Sequence, residues 1–591
     1  MIRDLGFISW KDPNAWMEKM KGERWDAMVK KENSRFIKEL EKAATKDEIL
    51  EKKDDFIKAT RDIVFPYKNI LVKRTEQTEW FYENDTTRCY VVTDVFIYKN
   101  LVYHIRDVGK GAEKNRLECL DGHKILWYIN NVGPNVFVKD DKCYYLNVEN
   151  KLWSNKLISV NYKTGLDKKI IYEEKDKRYN LTISVGDSSC LFLIRENSGL
   201  QNLFVIENGA IVYKNETLQY YFPVGYHESK ICYLYSNGSI WKSSGFSLHK
   251  KFDNEILYFS LQNKIIVLIE DGLNVMYTHN FKKITSFYGS LIYNKHTDKH
   301  FDKFYIDITG AGIHSFSYNE KLIKNESFGY YGKVKSYKCG DIPIVFVEPY
   351  SEIKGMILTA YAAYGMATNM RTSRWKPFID NGWGIAFVCI RGSGDVNKSW
   401  ASAARTYNKH VAFIDFENSI RFLQNKYKIS PKHTCIYGRS AGGYLVGSLV
   451  SRNPKGGLFK MVYTEVPYVD VLRTTTNPTL PLTALEYDEF GNPADGIYEF
   501  RTIMEYSPVD SLNYTTLPDM FVLIRSSEND SQVFPYESFK WLKALRGDSS
   551  NDCNKLLFLT EKAGHFVNGD KMYENFSEDF YLLNSVRDNG E

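Results

Sequence analysis

The chain has 591 residues, 43% of them apolar and 26% charged, a composition typical of globular proteins and a length too great for a single hydrophobic core. Its 78 basic and 73 acidic residues leave a net charge of only +5. This small imbalance gives no reason to expect binding to nucleic acid or to an anionic membrane.

The cysteines and the apolar segments indicate the compartment. Nine cysteines are scattered singly, without a C-x-x-C pair, which argues against a disulfide framework and a zinc site. Residues 1–6 carry charge where a signal peptide would be apolar, and no apolar run approaches the ~18 residues that a membrane span needs. We therefore expect a cytoplasmic protein that needs no metal or cofactor.

The pattern of apolar and polar residues changes twice along the chain. Residues 14–62 show a helical pattern, with Asp12-Pro13 as a start signal. Short β-prone runs follow to about residue 335, separated by turn signals such as Asn208-Gly209 and Asp271-Gly272. Many short strands at regular spacing indicate a propeller or several small sheets. We predict a helical segment over 1–65 that packs on the C-terminal domain, and a β-propeller over 66–335.

From about residue 336 to 591, strand and helix alternate. Strands are predicted at 342–347, 356–361, 384–390, 434–437, 461–464, 520–524 and 555–559, with helices such as 411–424 and 536–545 between them. This alternation predicts a mostly parallel sheet covered by helices on both faces. The fold class is therefore α/β plus all-β.

One motif in this second half carries a specific chemistry. Residues 438–442 read Gly-Arg-Ser-Ala-Gly, between a β-prone run and an amphipathic helix. This G-x-S-x-G pattern is the nucleophile elbow, a tight turn that lifts Ser440 out of the backbone for attack on a carbonyl.

A serine nucleophile needs a base and an acid, which in α/β-hydrolases follow it in the order acid, histidine. His565 is the only histidine after Ser440, and it follows the last predicted strand. Two carboxylates, Glu528 and Asp530, follow the strand before it, and spacing alone does not choose between them.

The oxyanion of the transition state needs two hydrogen-bond donors. The backbone N–H of Ala441 is one candidate, because it directly follows the nucleophile. A backbone N–H or a tyrosine hydroxyl from the segment 361–365 is a candidate for the other.

These motifs resemble the prolyl oligopeptidase family of serine peptidases, and its oligopeptidase B branch most closely. The matching segments are 12–18, 361–365, 390–395, 438–443, 465–471, 481–493, 530–533 and 564–565. The resemblance implies an N-terminal helical segment, a β-propeller that admits only short peptides, and an α/β-hydrolase domain. It selects Asp530 as the acid and the hydroxyl of Tyr361 as an oxyanion donor.

The resemblance also implies a specificity. Glu486 and Asp488 align with the acidic pair that holds a basic side chain before the scissile bond (P1) in oligopeptidase B. In an extended segment, residues i and i+2 point to one side and can receive a guanidinium together. Gln532 stands where prolyl-specific relatives carry an arginine, which argues against cleavage after proline.

The sequence also departs from the family in places. Ala362-Ala363 and Ser393 replace glycines of the family motifs, and the 66–335 segment is short for seven full blades, so a trimmed propeller is expected. The main prediction is an endopeptidase acting on short peptides after Arg or Lys, as a monomer or small homo-oligomer. The alternatives are a prolyl- or acylaminoacyl-type peptidase, an esterase of the same fold, and a non-catalytic propeller binding protein.

Overall fold

The computed structural model describes the chain apart from residues 60–62, 68–69, 75–79, 84–88, 110, 150–151, 186–190, 198–200, 216–221, 228–230, 237–238, 243–246, 252–255, 261–264, 279–281, 293–302, 320, 328–330, 513–516, 548–553, 568 and 590–591. It divides into two compact units. One contains residues 1–60, 308–312 and 329–591, and the other contains 61–307 and 313–328.

The first unit begins with an N-terminal segment of two short strands and two helices. Its elements are β1 (Ile2–Asp4), β2 (Ser9–Lys11), a 3-10 helix (Ala15–Lys19), α1 (Glu23–Ala43) and α2 (Lys46–Ala59). The helical pattern was predicted to start near residue 14, but the first α-helix starts at Glu23. Met20 and Gly22 adopt positive φ angles of 47° and 96°, which an α-helix does not accommodate.

Aromatic side chains attach this segment to the C-terminal part of the same unit. Phe36 is fully buried and packs against Phe558, with ring centroids 4.9 Å apart. Phe56 is also fully buried, against Phe576 at 5.7 Å. These contacts lie within the unit that also holds the large mixed sheet.

The second unit is the β-propeller. Its described residues form seven four-stranded sheets, each made of four strands consecutive in sequence. The strands are β3 (Ile63–Tyr67), β4 (Ile70–Arg74), β5 (Trp80–Glu83), β6 (Cys89–Val92), β7 (Asp94–Tyr98), β8 (Leu101–Asp107), β9 (Asn115–Asp121), β10 (Lys124–Asn130), β11 (Val132–Lys139), β12 (Lys142–Glu149), β13 (Trp153–Asn161), β14 (Lys169–Glu173), β15 (Asn180–Val185), β16 (Leu191–Glu196), β17 (Gln201–Glu207), β18 (Ala210–Asn215), β19 (Phe222–His227), β20 (Ile231–Ser236), β21 (Ser239–Lys242), β22 (Ser247–Lys251), β23 (Ile256–Ser260), β24 (Ile265–Glu270), β25 (Leu273–Thr278), β26 (Lys283–Phe287), β27 (Gly289–Ile292), β28 (Lys303–Ile308), β29 (Gly312–Asn319) and β30 (Lys321–Ser327).

The expectation of a trimmed propeller was wrong, because short strands and tight turns fit seven complete sheets into the available length. The strands have between 4 and 9 residues. Two-residue turns with positive φ at both positions join several hairpins, as at Asn208-Gly209 and Asp271-Gly272. Such turns match the right-handed twist of the paired strands and use the fewest connecting residues.

The first unit also contains an eight-stranded sheet. Its strands are β31 (Lys333–Cys339), β32 (Ile342–Glu348), β33 (Gly355–Thr359), β34 (Trp383–Val388), β35 (Thr434–Arg439), β36 (Met461–Glu465), β37 (Phe521–Ser527) and β38 (Lys555–Thr560). Their order is β31-β32-β34-β33-β35-β36-β37-β38, with antiparallel pairs at β31-β32 and β32-β34 and parallel pairs elsewhere. All seven strands predicted after residue 340 are present.

Helices cover this sheet and fill the connections. They are α3 (Lys376–Asp380), α4 (Lys398–Ser402), α5 (Lys409–Tyr427), α6 (Gly442–Arg452), α7 (Val471–Thr475), α8 (Tyr487–Phe490), α9 (Ile497–Tyr506), α10 (Pro508–Ser511), α11 (Pro535–Arg546) and α12 (Gly569–Asp588), with 3-10 helices at Ser373–Trp375, Thr406–Asn408, Pro431–His433, Thr483–Glu486 and Pro493–Asp495. Within the described part of the chain, no helix combines the length and the apolar character that crossing a bilayer requires.

Candidate active site

The predicted catalytic residues lie at one edge of the eight-stranded sheet. Tyr361 follows β33, Ser440 follows β35, Asp530 follows β37 and His565 follows β38. These four strands are parallel, so their carboxyl ends meet at the same edge. Ligands bind at this edge in open α/β sheets.

Ser440 occupies a strained turn between β35 and α6. Its φ is +52°, a conformation that a non-glycine residue adopts only when its surroundings hold it there. The Ser440 N–H donates to the carbonyl of Glu465 at 3.0 Å, and its own carbonyl accepts from the N–H of Tyr468 at 2.9 Å. A Cβ at Gly438 would lie 2.4 Å from the carbonyl oxygen of Gly442, so the turn requires glycine there.

A hydrogen-bonded chain connects the three predicted catalytic side chains. His565 Nε2 lies 3.0 Å from Ser440 Oγ, and His565 Nδ1 lies 2.8 Å from Asp530 Oδ2. The other oxygen, Oδ1, accepts the backbone N–H groups of Gln532 and Val533, each at 2.9 Å. Asp530 and His565 are each only 3% exposed. A proton on Nδ1 donates to the carboxylate, which leaves Nε2 free to accept the serine proton.

The other candidate acid, Glu528, has a different position. It is exposed, and its Oε2 accepts the backbone N–H of Lys562 at 2.8 Å. Its own N–H donates to the carbonyl of Thr560 at 3.0 Å. Glu528 therefore holds the start of the loop that carries His565, while Asp530 contacts the imidazole.

Tyr361 and Ala441 lie with Ser440 in the lining of one pocket. Burial raises the pKa of Tyr361 to about 12, so the phenol keeps its proton and can donate a hydrogen bond at neutral pH. Ala441 directly precedes α6, an 11-residue helix whose N-terminus also favours negative charge. The two predicted oxyanion donors are thus placed beside the candidate nucleophile.

Glu486 lines the same pocket, and the phenolic hydroxyl of Tyr364 donates to its Oε1 at 2.6 Å. Burial raises the pKa of Glu486 to about 7. The hydrogen bond from Tyr364 opposes this rise, while the charge of Glu489 adds to it. The carboxyl group therefore titrates near neutral pH.

Asp488 does not join Glu486. The segment was expected to be extended, but Thr483–Glu486 is a 3-10 helix and Tyr487–Phe490 an α-helix. In a helix, residues i and i+2 point in different directions. Asp488 is exposed and is absent from the described residues that line the pocket. The prediction that both carboxylates face a basic side chain was wrong.

The buried carboxylate next to Glu486 is instead Glu489. It forms an ion pair with Lys409, and both side chains are at most 1% exposed. Arg405 adds a second cation, its Nε 3.2 Å from Oε2 of Glu489. Lys409 and Arg405 thus pair with Glu489, and Glu486 is the carboxyl group among the described residues that line the pocket.

Arg439 contributes to the site in a way that the sequence did not reveal. Its Nη2 donates to the main-chain carbonyl of His565 at 2.6 Å, and its Nε lies 3.5 Å from Glu465. Burial opposes ionisation of Glu465, but Arg374 and Arg439 hold its pKa at about 2. The sequence did offer one signal for this role. Arg439 occupies the x position directly before Ser440 in G-x-S-x-G, so its side chain begins beside the nucleophile.

An eight-stranded sheet of this order, with serine, aspartate and histidine hydrogen-bonded at the carboxyl ends of its strands, defines an α/β-hydrolase. Residues 369–584 match the model of the prolyl oligopeptidase family. The resemblance to this family that the motifs indicated is thereby confirmed over these residues.

Curated relatives match part of the chain. "Protease 2" of Moraxella lacunata is 31% identical over 212 residues, which cover 36% of this chain and 30% of that protein. "Dipeptidyl aminopeptidase BI" of Pseudoxanthomonas mexicana is 35% identical over 213 residues, or 36% and 28% of the two chains. "Prolyl endopeptidase-like" of Homo sapiens is 34% identical over 182 residues, or 30% and 24%. The matches thus span less than a third of each relative.

Solved structures resemble the whole chain. The structure of oligopeptidase B from Leishmania major aligns with a TM-score of 0.84 and 17% identity, covering 99% of this chain and 95% of that one. Oligopeptidase B from Trypanosoma brucei aligns with a TM-score of 0.81 and 18% identity, covering 98% and 95%. At these identities the likeness establishes the fold: a β-propeller combined with an α/β-hydrolase.

Proposed function

We propose that this protein is a serine peptidase that cleaves short peptides after Arg or Lys. The observation that carries the proposal is the pairing of two features in one place. Ser440 is hydrogen-bonded to His565, and the pocket beside Ser440 contains the carboxyl group of Glu486. The first feature provides a nucleophile for acyl transfer, and the second provides a counter-charge for a cationic side chain.

The catalytic cycle follows from the hydrogen bonds. His565 Nε2 takes the proton of Ser440 as Oγ attacks the scissile carbonyl, and Asp530 stabilises the imidazolium. The hydroxyl of Tyr361 and the N–H of Ala441 donate to the oxyanion. His565 then gives its proton to the leaving amine, and the acyl group stays on Ser440. Water, deprotonated by His565, releases the acyl group and restores the serine.

The specificity rests on Glu486 and not on Asp488. A guanidinium or ammonium group in the pocket interacts favourably with ionised Glu486, in surroundings where burial strengthens the interaction. Tyr364 fixes the carboxyl group through its hydrogen bond of 2.6 Å. An uncharged side chain in the same place would leave the carboxyl group without a counter-charge.

A matched pair of variants tests this proposal. Peptides that differ only at P1 (Arg, Lys, Ala or Pro) are assayed with the wild type, Glu486→Gln and Asp488→Asn, and Ser440→Ala is the inactive control. We expect Glu486→Gln to lower kcat/KM for Arg by roughly 100-fold, the loss of a buried charge-assisted pair. Asp488→Asn should leave it within about twofold. Equal effects of the two variants, or no preference for Arg in the wild type, would refute the specificity.

A relative's name supports a second candidate, an aminopeptidase that removes N-terminal dipeptides. One relative, 35% identical over 213 residues, is named a dipeptidyl aminopeptidase. Such an enzyme requires a free substrate amine, whereas an endopeptidase accepts blocked peptides. An Arg-containing tripeptide in its acetylated and free forms separates the two candidate functions. Cleavage of the free form, with none of the acetylated form, would favour the aminopeptidase.

A further inference from the structure

An exposed aromatic residue directly follows the candidate general base. The side chain of Phe566 is 44% exposed, although it adjoins the buried His565. The two rings meet edge to face, with centroids 5.2 Å apart and an interplanar angle of 87°. An exposed aromatic ring of this size beside a reacting group is a surface on which an apolar ligand group can pack.

Arg439 packs against this ring. Its guanidinium carbon lies 4.7 Å from the ring centroid of Phe566, within the range of a cation–π contact. The same guanidinium donates to the His565 carbonyl and lies near Glu465. The Arg439 guanidinium, which other contacts hold in place, therefore restrains one face of the Phe566 ring. This restraint lowers the entropy cost of packing a ligand against the exposed part of the ring.

The chemistry places one part of the substrate next to this ring. His565 must pass its proton to the amine of the leaving peptide, so the residue after the scissile bond (P1′) lies beside the imidazole. Among the described residues, Phe566 does not line the pocket that holds Glu486. The P1 side chain and Phe566 therefore do not compete for the same space.

We propose that Phe566, supported by Arg439, forms a subsite that binds an apolar or aromatic P1′ side chain. This inference rests on the proposed serine peptidase activity and adds a preference on the leaving-group side. Packing one apolar side chain on a half-exposed ring favours it over glycine by about five- to tenfold.

Acyl transfer measures this subsite separately from P1. Acetyl-arginine methyl ester acylates Ser440 and releases methanol, and an added amino acid amide then competes with water for the acyl-enzyme. The amine nitrogen bonds to the acyl carbon as the bond from this carbon to Ser440 Oγ breaks. A proton passes from the amine through His565 Nε2 to Oγ. The ratio of peptide product to acetyl-arginine reports how well each amide occupies the P1′ position.

We expect leucine amide and phenylalanine amide to exceed glycine amide by about five- to tenfold in the wild type. Phe566→Ala should bring this ratio close to one, and Phe566→Leu should retain part of it. Both acceptors attack the same acyl-enzyme, so a slower variant does not change the ratio by itself. Tyr350→Ala, which removes an aromatic side chain that is 60% exposed elsewhere in the unit, should keep the wild-type ratio.

The result that overturns the inference is a wild-type ratio near one, or a Phe566→Ala ratio equal to that of the wild type. Failure of the proposed function gives a different result. The ester would then not be hydrolysed in a Ser440-dependent way even without an added amide, which overturns both the peptidase activity and the P1′ subsite. If another P1 residue is preferred, its methyl ester replaces the arginine ester, and the acceptor ratio tests Phe566 as before.

Discussion

Tyr364 donates a hydrogen bond to Oε1 of Glu486 at 2.6 Å, in the lining of the pocket that contains Ser440. Burial raises the pKa of Tyr364 well above its usual value, so the phenol remains a donor at every working pH. The bond favours the ionised form of Glu486, while burial disfavours it, and the pKa of about 7 is the net result. The charge of the pocket therefore changes within the physiological pH range.

We expect the affinity for basic substrates to depend on this titration. Below pH 7 Glu486 is mostly neutral and attracts a cation weakly, and above pH 7 it is mostly ionised. KM for a P1 Arg substrate should therefore fall as pH rises through about 7, by roughly tenfold between pH 6 and pH 8. Steady-state kinetics over pH 5.5–9 measure this effect. Glu486→Gln is the control, and a pH dependence of KM that persisted in it would assign the titration to another group.

Tyr364→Phe should move this titration to higher pH. The substitution removes a hydrogen bond to a charged group, worth about 1.5–3 kcal/mol, and leaves the ring in place. The pKa of Glu486 should rise by about one unit or more, which weakens binding of Arg substrates at pH 7 and less so at pH 9. The pH dependence of KM gives the shift directly. An unchanged midpoint would show that the hydrogen bond does not control the ionisation of Glu486.

Tyr361→Phe tests the oxyanion donor. Loss of a hydrogen bond that stabilises the developing oxyanion lowers kcat by about 10²–10³-fold with little change in KM. The ring of Tyr361 also lines the pocket, and phenylalanine preserves that surface. A variant with normal kcat would remove the phenol from the proposed mechanism, and a change confined to KM would make Tyr361 a binding residue only.

Asp12 should contribute to stability through ion pairs with buried cations. It is 1% exposed, and its Oδ2 lies 3.1 Å from Arg473 and 3.4 Å from Lys540. Asp12→Asn leaves these buried cations with less negative charge nearby, so we expect a loss of about 2–4 kcal/mol in the free energy of unfolding at pH 7. Denaturant unfolding measures it, with the exposed Asp4→Asn as the control.

The loss caused by Asp12→Asn should itself depend on pH. Burial opposes ionisation of Asp12, but Lys540, Arg473 and Arg3 hold its pKa below the usual value. The ion pairs therefore stabilise the folded state above pH ~4, and the contribution disappears as pH falls through the folded pKa. Wild type and Asp12→Asn should converge in acid. A constant difference at all pH values would indicate a packing effect instead.

Local patterns in the sequence were sufficient to predict most of the hydrolase fold. Strands paired in parallel on both sides, such as Gly355–Thr359 and Phe521–Ser527, begin with apolar runs because both of their faces are buried. The edge strand Lys333–Cys339 escaped prediction, because its alternation of lysines with half-buried residues lacks the apolar signal. Short helices such as Val471–Thr475 also escaped prediction. They are stabilised mainly by tertiary contacts and are too short to show a clear helical pattern in the sequence.

The catalytic candidates could be predicted because each follows a strand that the sequence reveals. Contacts between side chains of different loops could not be predicted in this way. Ser440, Asp530 and His565 each follow a recognisable strand. The preference for Asp530 over Glu528 came from resemblance, since both carboxylates follow the same strand. The error at Asp488 arose because the segment around Glu486 is helical, and its acidic residues gave no sign of that. The contacts of Arg439 and Phe566 depend on how two loops approach each other.

The most direct test of the account compares two peptides that differ only in charge at P1, one with arginine and one with citrulline, at pH 8. Citrulline has nearly the shape of arginine but no positive charge, so the comparison isolates the attraction to Glu486. We predict that the wild type cleaves the arginine peptide with a kcat/KM about 100-fold higher, and that Glu486→Gln reduces this ratio to within a few-fold of one. Equal cleavage of both peptides by the wild type, with activity still dependent on Ser440, would contradict the proposed specificity.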